Sequence, residues 1–423
     1  MKFDAIVVGA GPAGCTAAYH LARMGFKVLV IERGRIPGSK NVYGGRVYAG
    51  ALSRVYPGFE REAPIERWVR VEKLSFSCGE DYVTLEARCG EKSFTAYLSR
   101  LCEWMAGKAE SEGAVIATEV TVDELVREDG FYRGVRAGGE KVYADVVIDA
   151  EGINRILLEK TGLAGKLEPE TVALGVKEVI KLDSEKIEER FGLEENEGLA
   201  WLSIGEDLTM GIPGGAFLYT FKDSVSLGAI LFLDKALSML KKPVYQVIDS
   251  LRLHRLFRRI VGDGRLIEYA AHLTPHYPEK LIPKRLCDNG LVIVGDAAGF
   301  LVDMAYTVRG VDLAVYSGYL AAKAVEKAHA QGSMSRENLM VYEDMVRESF
   351  IMKEIMKFRG ARDVVRSEEL MKMYPRILCR VLSRLYSIDL EAPKAVDALK
   401  SECGGLTGIL SLALKAYGVM KKI

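Results

Sequence analysis

Residues 4–32 read DAIVVGAGPAGCTAAYHLARMGFKVLVIE, and this stretch decides the fold. Asp4–Val8 is a short β-branched run of the kind that lies buried in a parallel sheet. It passes into GAGPAG at 9–14, then into a helical stretch that stops at Gly25, then into an apolar strand ending on Glu32. The pattern is β-α-β in about 30 residues, the context in which a glycine motif carries meaning. Gly9, Gly11 and Gly14 fill a G-x-G-x-x-G spacing, with Pro12 and Ala13 between the last two. The first glycine permits a tight turn, the second lets a pyrophosphate approach the backbone, and the third lets helix and strand pack closely. The helix start offers free N–H groups and a positive dipole end to that pyrophosphate. Glu32, followed by Arg33, stands where a carboxylate accepts hydrogen bonds from ribose hydroxyls and repels a 2′-phosphate. An adenine dinucleotide is therefore expected here.

Working outward, a second signal of this style stands far downstream. GLVIVGDAAGF at 290–300 is a buried-type strand delivering Gly295 and Asp296 beside small residues, which suits a hydroxyl-rich ribityl chain and its phosphate. No second G-x-G-x-x-G occurs, so the pattern selects FAD over a separate nicotinamide site. KVYADVVIDAEG at 141–152 reads as a further strand, ending in Ala150, Glu151 and Gly152, and 94–116 reads as strand end, helix and strand start. From Thr171 to about Leu233 the chain alternates strands with turns, VALGVKEVIKL, LAWLSIG, DLTMGI, GAFLYTF and DSVSLGAILFL reading as the strands of a mostly antiparallel sheet. From Val311 onward the pattern is helical. The expected division is 1–75, 101–165 and 281–330 in the nucleotide-binding domain. Residues 76–100 and 166–280 then form the antiparallel substrate domain, with 331–423 as a helical C-terminal region.

Composition narrows the function. Lysine plus arginine and aspartate plus glutamate stand at 58 each among 423 residues, so no global field marks a nucleic-acid binder. Glutamine occurs only at 246 and 331, a bias that fits a thermophile. The seven cysteines form no Cys-x-x-Cys, so no iron–sulfur cluster or structural zinc is expected in the chain. The five histidines make no metal-spaced set. No secretory signal is evident, and no apolar run reaches the roughly 20 residues that span a bilayer. The reading is a cytoplasmic protein, lying peripherally on the cytoplasmic face of a membrane. A basic amphipathic stretch at 373–386, with Arg376, Arg380 and Arg384 on one stripe, and an apolar tail at 404–423 are the segments suited to that contact.

GAGPAG, KNVYGGRVY, YLSR, DAEG, GVKE, GGAFLYTF and VGDAAG together resemble the electron-transfer-flavoprotein:quinone oxidoreductases, above all their FixC-type branch. These are FAD proteins of the same broad group as geranylgeranyl reductases and aromatic hydroxylases. The resemblance spans roughly residues 1–390. It implies an α/β fold: a Rossmann-like FAD-binding domain of the glutathione-reductase/hydroxylase type, an inserted, mostly antiparallel β-sheet substrate domain and a helical C-terminus. It implies that the loop GSKNVYGGRVYAG at 38–50 folds over the flavin. Lys40 and Asn41 then lie near the phosphates or ribityl chain, and Gly44, Gly45, Arg46 and Val47 near the ring system, the paired glycines tolerating close approach and positive φ. Arg100 of YLSR is expected to reach FAD, Glu119 and Val120 to meet adenine through backbone groups, and Gly310 and Val311 to open a long helix aimed at the flavin.

The sequence departs from the pattern at 304–318, MAYTVRGVDLAVYSG, and at 272–278, HLTPHYP, which lacks the expected glycine pair. His272 and His276 read as structural. Only Cys379 and Cys403 stand near the C-terminus, where larger members carry a four-iron–four-sulfur domain. The resemblance therefore implies a separate small ferredoxin-like iron–sulfur subunit and a two-subunit electron-transfer flavoprotein as partners, with a quinone as acceptor. An electron-bifurcating assembly is left open. No side chain is assigned a nucleophile or general-base role, because the cofactor carries the chemistry. Two alternatives stand beside this reading: a geranylgeranyl-type reductase of prenyl lipids, and an electron-relay subunit with no independent activity.

Overall fold

Near-continuous apolar runs become parallel strands buried on both faces. In the computed structural model, which describes residues 2–39 and 44–423, five such strands pair side by side. Their spatial order is Val115–Ala117, Val28–Ile31, Lys2–Val8, Glu140–Asp149, Leu291–Ile293, and every pair is parallel. The chain builds outward from Lys2–Val8 on one side, then returns to Glu140–Asp149 on the other. The carboxyl ends of those two central strands thus form the point where strand order reverses, the position at which doubly wound sheets bind dinucleotides. A hairpin of Val122–Glu128 and Phe131–Ala137 runs antiparallel into the start of Glu140–Asp149.

The second sheet has nine strands, in the order Arg265–Pro275, Val172–Lys181, Ser224–Phe232, Gly214–Thr220, Glu197–Ile204, Arg67–Cys78, Ser93–Tyr97, Gly44–Tyr48, with Asp81–Arg88 pairing Arg67–Cys78. All pairs are antiparallel except Glu197–Ile204 against Arg67–Cys78. Gly44–Tyr48 and most of Arg67–Cys78 come from the stretch 1–75 expected in the nucleotide-binding unit, so sheet membership crosses that boundary. Period-two alternation sorts the side chains. Val176, Leu199, Trp201, Leu218 and Leu227 form one apolar face, covered by helices Ser184–Phe191 and Tyr245–Leu253. The opposite face looks toward the first sheet. DLTMGI, expected as a strand, is instead a 3-10 turn at Glu206–Thr209. Met210 takes a positive φ of 55° and the Thr209 hydroxyl donates to the Ile212 carbonyl, which closes the turn.

One residue ties the second sheet to the helix Ser184–Phe191 that covers it. Arg67 is fully buried, and its guanidinium donates to the Phe221, Glu197 and Lys222 carbonyls, to Ser184 and to Glu188. The long helix Val311–Ala330 packs on the first helix, Pro12–Arg23, where Gly318 allows contact: a Cβ there would collide with the Ala13 carbonyl. Helices Val341–Glu348 and Phe350–Lys357 extend this core through Tyr342, Val346, Ile351 and Ile355. Helix Tyr374–Tyr386 lies on the Arg67–Cys78 strand, and the last helix, Leu406–Met420, buries none of its residues.

Candidate functional site

The strand ends of the first sheet and the inner face of the second enclose a cavity of about 550 Å3. One end is the glycine turn. Gly9 has φ +99° and lies against the Ala150 carbonyl, while a Cβ on Gly14 would strike the Gly9 carbonyl. Gly11, Pro12 and Ala13 line the cavity at the start of helix Pro12–Arg23, whose first N–H groups have no partner within the helix. At the end of the next strand the Glu32 carboxylate accepts from the backbone N–H groups of Ala10 (2.8 Å) and Gly34 (2.6 Å). These bonds hold it at the cavity wall and leave further lone pairs for hydroxyl donors.

Asp296 sits across the cavity in the turn Gly295–Ala298. Burial alone pushes its carboxyl up to about 6, and among the described residues no group donates to its side chain. Its side chain stays partly open to the cavity, where hydroxyls of a ligand can supply the missing donors. Beside it Asp149 and Glu151 form a tightly coupled pair. Burial, then the Glu151 charge, pushes the Asp149 carboxyl well up, and burial raises Glu151 against the pull of the Leu157 and Leu158 N–H groups.

The other end is lined by the second sheet and by residues 301–312. Arg46 donates to both oxygens of Glu72 (2.7 and 2.6 Å) and to the Tyr48 hydroxyl (2.6 Å), which lies 3.0 Å from Thr307. Arg309 donates to Asp312 and Glu354 and sits over the Tyr48 ring. Gly310 caps the helix that begins at Val311, and both line the cavity. The sheet wall between is mostly apolar, with Gly175, Phe217, Ile230 and Phe232.

Two family models match this chain. The model described as FAD dependent oxidoreductase covers residues 4–92, and the one described as ETF-QO, ubiquinone-binding covers 172–273. A probable electron transfer flavoprotein-quinone oxidoreductase, YdiS of Escherichia coli strain K12, is 40% identical over 92% of this chain and 91% of its own length. The FixC protein of the same strain is 38% identical over 97% of this chain and 96% of its own. The chain belongs to the FixC and electron-transfer-flavoprotein–quinone oxidoreductase family. As a member of that family it is an FAD-dependent oxidoreductase. Among solved structures, a geranylgeranyl bacteriochlorophyll reductase-like protein from Thermoplasma acidophilum matches with TM-score 0.74, covering 97% of this chain and 98% of that one. The flavin-dependent halogenase CmlS matches at 0.65, covering 87% of this chain and 66% of that one. At 19% and 18% identity these two show the fold alone.

FAD fits the residues present: a glycine turn packed too closely for a Cβ at Gly9 or Gly14 and opening at a helix N-terminus, an anchored carboxylate at Glu32, and an Asp296 that receives no donor among the described residues. Bound there, FAD supplies reversible storage of an electron pair. Gly9, Gly11, Pro12, Ala13, Glu32, Arg33, Val120, Ala150, Glu151, Gly152, Gly295, Asp296, Arg46, Val47, Gly310 and Val311 all line the one cavity. Gly14 packs behind the turn. Lys40 and Asn41 lie outside the described residues. Gly44 and Gly45, expected in a loop, lie in a strand, where they pair with Tyr97 and Ala96. Arg100 is not brought to the cavity. It is largely solvent-exposed, 3.5 Å from Glu66 and over the Tyr97 ring. Glu119 stays outside, at φ 60° with its N–H on the Gly34 carbonyl. His272 and His276, read as structural, both line the cavity; His276 stacks on Phe232, and its Nε2 is buried without a partner. Sequence reasoning missed Tyr48, Lys177, Thr307, Arg309 and Asp312 as site residues. The GVKE stretch was the available signal for Lys177.

Proposed function

We propose that this FAD oxidoreductase takes electrons from an electron-transfer flavoprotein and passes them to a quinone bound against the inner face of the second sheet. The observation that carries the reading is the coincidence of two things. The segment 172–273 matches a ubiquinone-binding model, and the same segment supplies the apolar wall of the cavity that the dinucleotide end opens into. Asp296 takes hydroxyls of the ribityl chain, Glu32 those of the ribose, and the N-terminus of Val311–Ala330 stabilises negative charge on the reduced cofactor. The apolar wall excludes water and seats an uncharged ring. The donor works through a separate ferredoxin-like iron–sulfur subunit, and the donor flavoprotein can be of the electron-bifurcating kind. The C-terminal helices rest on an anionic membrane surface, where a lipid-soluble quinone is reached.

The test is a coupled assay. Reduced electron-transfer flavoprotein, with and without the iron–sulfur subunit, is mixed with the FAD-loaded chain and either menadione or a short-chain ubiquinone analogue. Quinol formation is expected. Saturation of a prenyl lipid without quinone reduction would instead establish the geranylgeranyl-reductase reading.

A further inference from the structure

We propose that Lys177 donates to the carbonyl oxygen of the bound quinone and delivers one proton to it, with Glu268 as its link to solvent; this rests on the quinone reading above. In the GVKE stretch, strand alternation sends Lys177 to the cavity face and Glu178 to the opposite, helix-covered face, where Arg252 lies near it. Register settles the neighbours. Lys177 pairs across the strands with Gly228 on one side and Ala270 on the other. Gly228 has no side chain, and the Phe217 ring occupies the space above it. The ammonium is thus set in a wall of small and aromatic groups, with only 6% of the side chain exposed.

Burying an ammonium costs several kcal/mol unless it is well paired. Among the described residues its one charged partner is Glu268, 3.0 Å away and 46% exposed. A lysine has three N–H donors, so two remain for the cavity. Burial draws the Lys177 pKa below its ordinary value and Glu268 opposes that pull, a setting in which an ammonium gives up a proton more readily. Among the described residues no other lysine of the second sheet lines the cavity.

A quinone has two carbonyl oxygens and no charge. Its reduction adds two electrons and two protons, and each carbonyl becomes a hydroxyl. Of these, bound reduced FAD would supply the electron pair and one proton. Lys177 supplies the other and becomes a neutral amine, and a proton from solvent restores it by way of Glu268. A purely structural Lys177–Glu268 pair would only pin the edge strand Arg265–Pro275 to Val172–Lys181.

The experiment uses the FAD-loaded full chain and the variants Lys177→Met, Lys177→Arg and Glu268→Gln. Bound FAD per chain is measured, then calorimetric binding of menadione and a short-chain ubiquinone analogue. The photoreduced protein is then reoxidised either by quinone or by ferricenium, which takes an electron and no proton. Lys177→Met should hold its FAD and react normally with ferricenium. Its quinone Kd should rise about 10-fold or more, and its reoxidation by quinone should slow about 100-fold or more. Lys177→Arg should recover binding without the rate, because guanidinium keeps its proton. Glu268→Gln should bind quinone normally and turn over slowly. If Lys177→Met binds and reduces quinone like a wild-type chain that does both, the assignment of Lys177 falls and the quinone reading stands. If Lys177→Met loses ferricenium and quinone reactivity together, the pair is structural. A wild-type chain that neither binds nor reduces either quinone removes both.

Discussion

Asp296 is the residue on which cofactor binding turns most measurably. In the free chain its carboxyl sits near 6, above the ordinary 3.8, because burial disfavours its charge. Hydroxyl donors from FAD favour the ionised form and lower that value. Binding is then fully supported above pH 6 and weakens by up to about tenfold per pH unit below it, until the pKa of the bound form is reached. FAD titration of the apoprotein by flavin fluorescence between about pH 5 and 8 should trace this slope, and Asp296→Asn should abolish it. Gly14→Ala makes the complementary case. Its Cβ would meet the Gly9 carbonyl, a backbone atom that cannot step aside without moving the phosphate turn. The purified variant should carry no flavin and show a lower unfolding midpoint. Gly14 was legible because a backbone demand restricts it to one residue type, and Asp296 because its carboxyl follows a buried-type strand beside small residues. Lys177 was not: a lysine reads as solvated until the register puts it opposite Gly228. Arg100 shows the converse, since a helix start does not say which way its third side chain leans; here it is exposed, 3.5 Å from Glu66.

Arg67 makes the Arg67–Cys78 strand more than a sheet member, since its five partners lie on the loops and helix that cover the second layer. Removing it takes the guanidinium from three carbonyls and leaves the Glu188 carboxylate, among the described residues, only its Ser184 and Asn196 donors. Arg67→Ala should cost about 3–5 kcal/mol of unfolding free energy, measured by urea titration. Glu188→Gln should cost much less, because its carboxylate is nearer solvent. Helix Val311–Ala330 is set by a smaller device, the contact of Gly318 with the Ala13 carbonyl beside the phosphate turn. Gly318→Leu should separate the two helices and release FAD together with stability, read by cofactor retention and thermal melt. The β-α-β unit, the antiparallel strands and the long helix were all visible as hydrophobic periods. DLTMGI was not, because a six-residue alternation also fits a turn once Met210 adopts a left-handed backbone.

Across the whole molecule, the outer surface of the C-terminal region carries the membrane proposal. Leu406, Leu410, Leu414 and Tyr417 recur along one helix, each more than half exposed, and Arg376, Arg380 and Arg384 are exposed on Tyr374–Tyr386. Among the described residues no single helix is long and apolar enough to cross a bilayer. Ala395–Cys403 and Leu406–Met420 pass that test only as a pair bent by 82°. Vesicles rich in phosphatidylglycerol should float with the protein. Leu406→Asp, Leu410→Asp and Leu414→Asp combined should end flotation with FAD content intact, since each buried leucine is worth about 1.5–3 kcal/mol. The sequence by itself determined the nucleotide unit, the choice of FAD and the family, because tight turns and phosphate cradles dictate residue types at fixed spacings. Only the tertiary structure decided which side chains meet in the cavity. Residues 46, 177, 296 and 309 come from separate strands and turns, and their meeting depends on strand register and sheet packing, which no local pattern encodes.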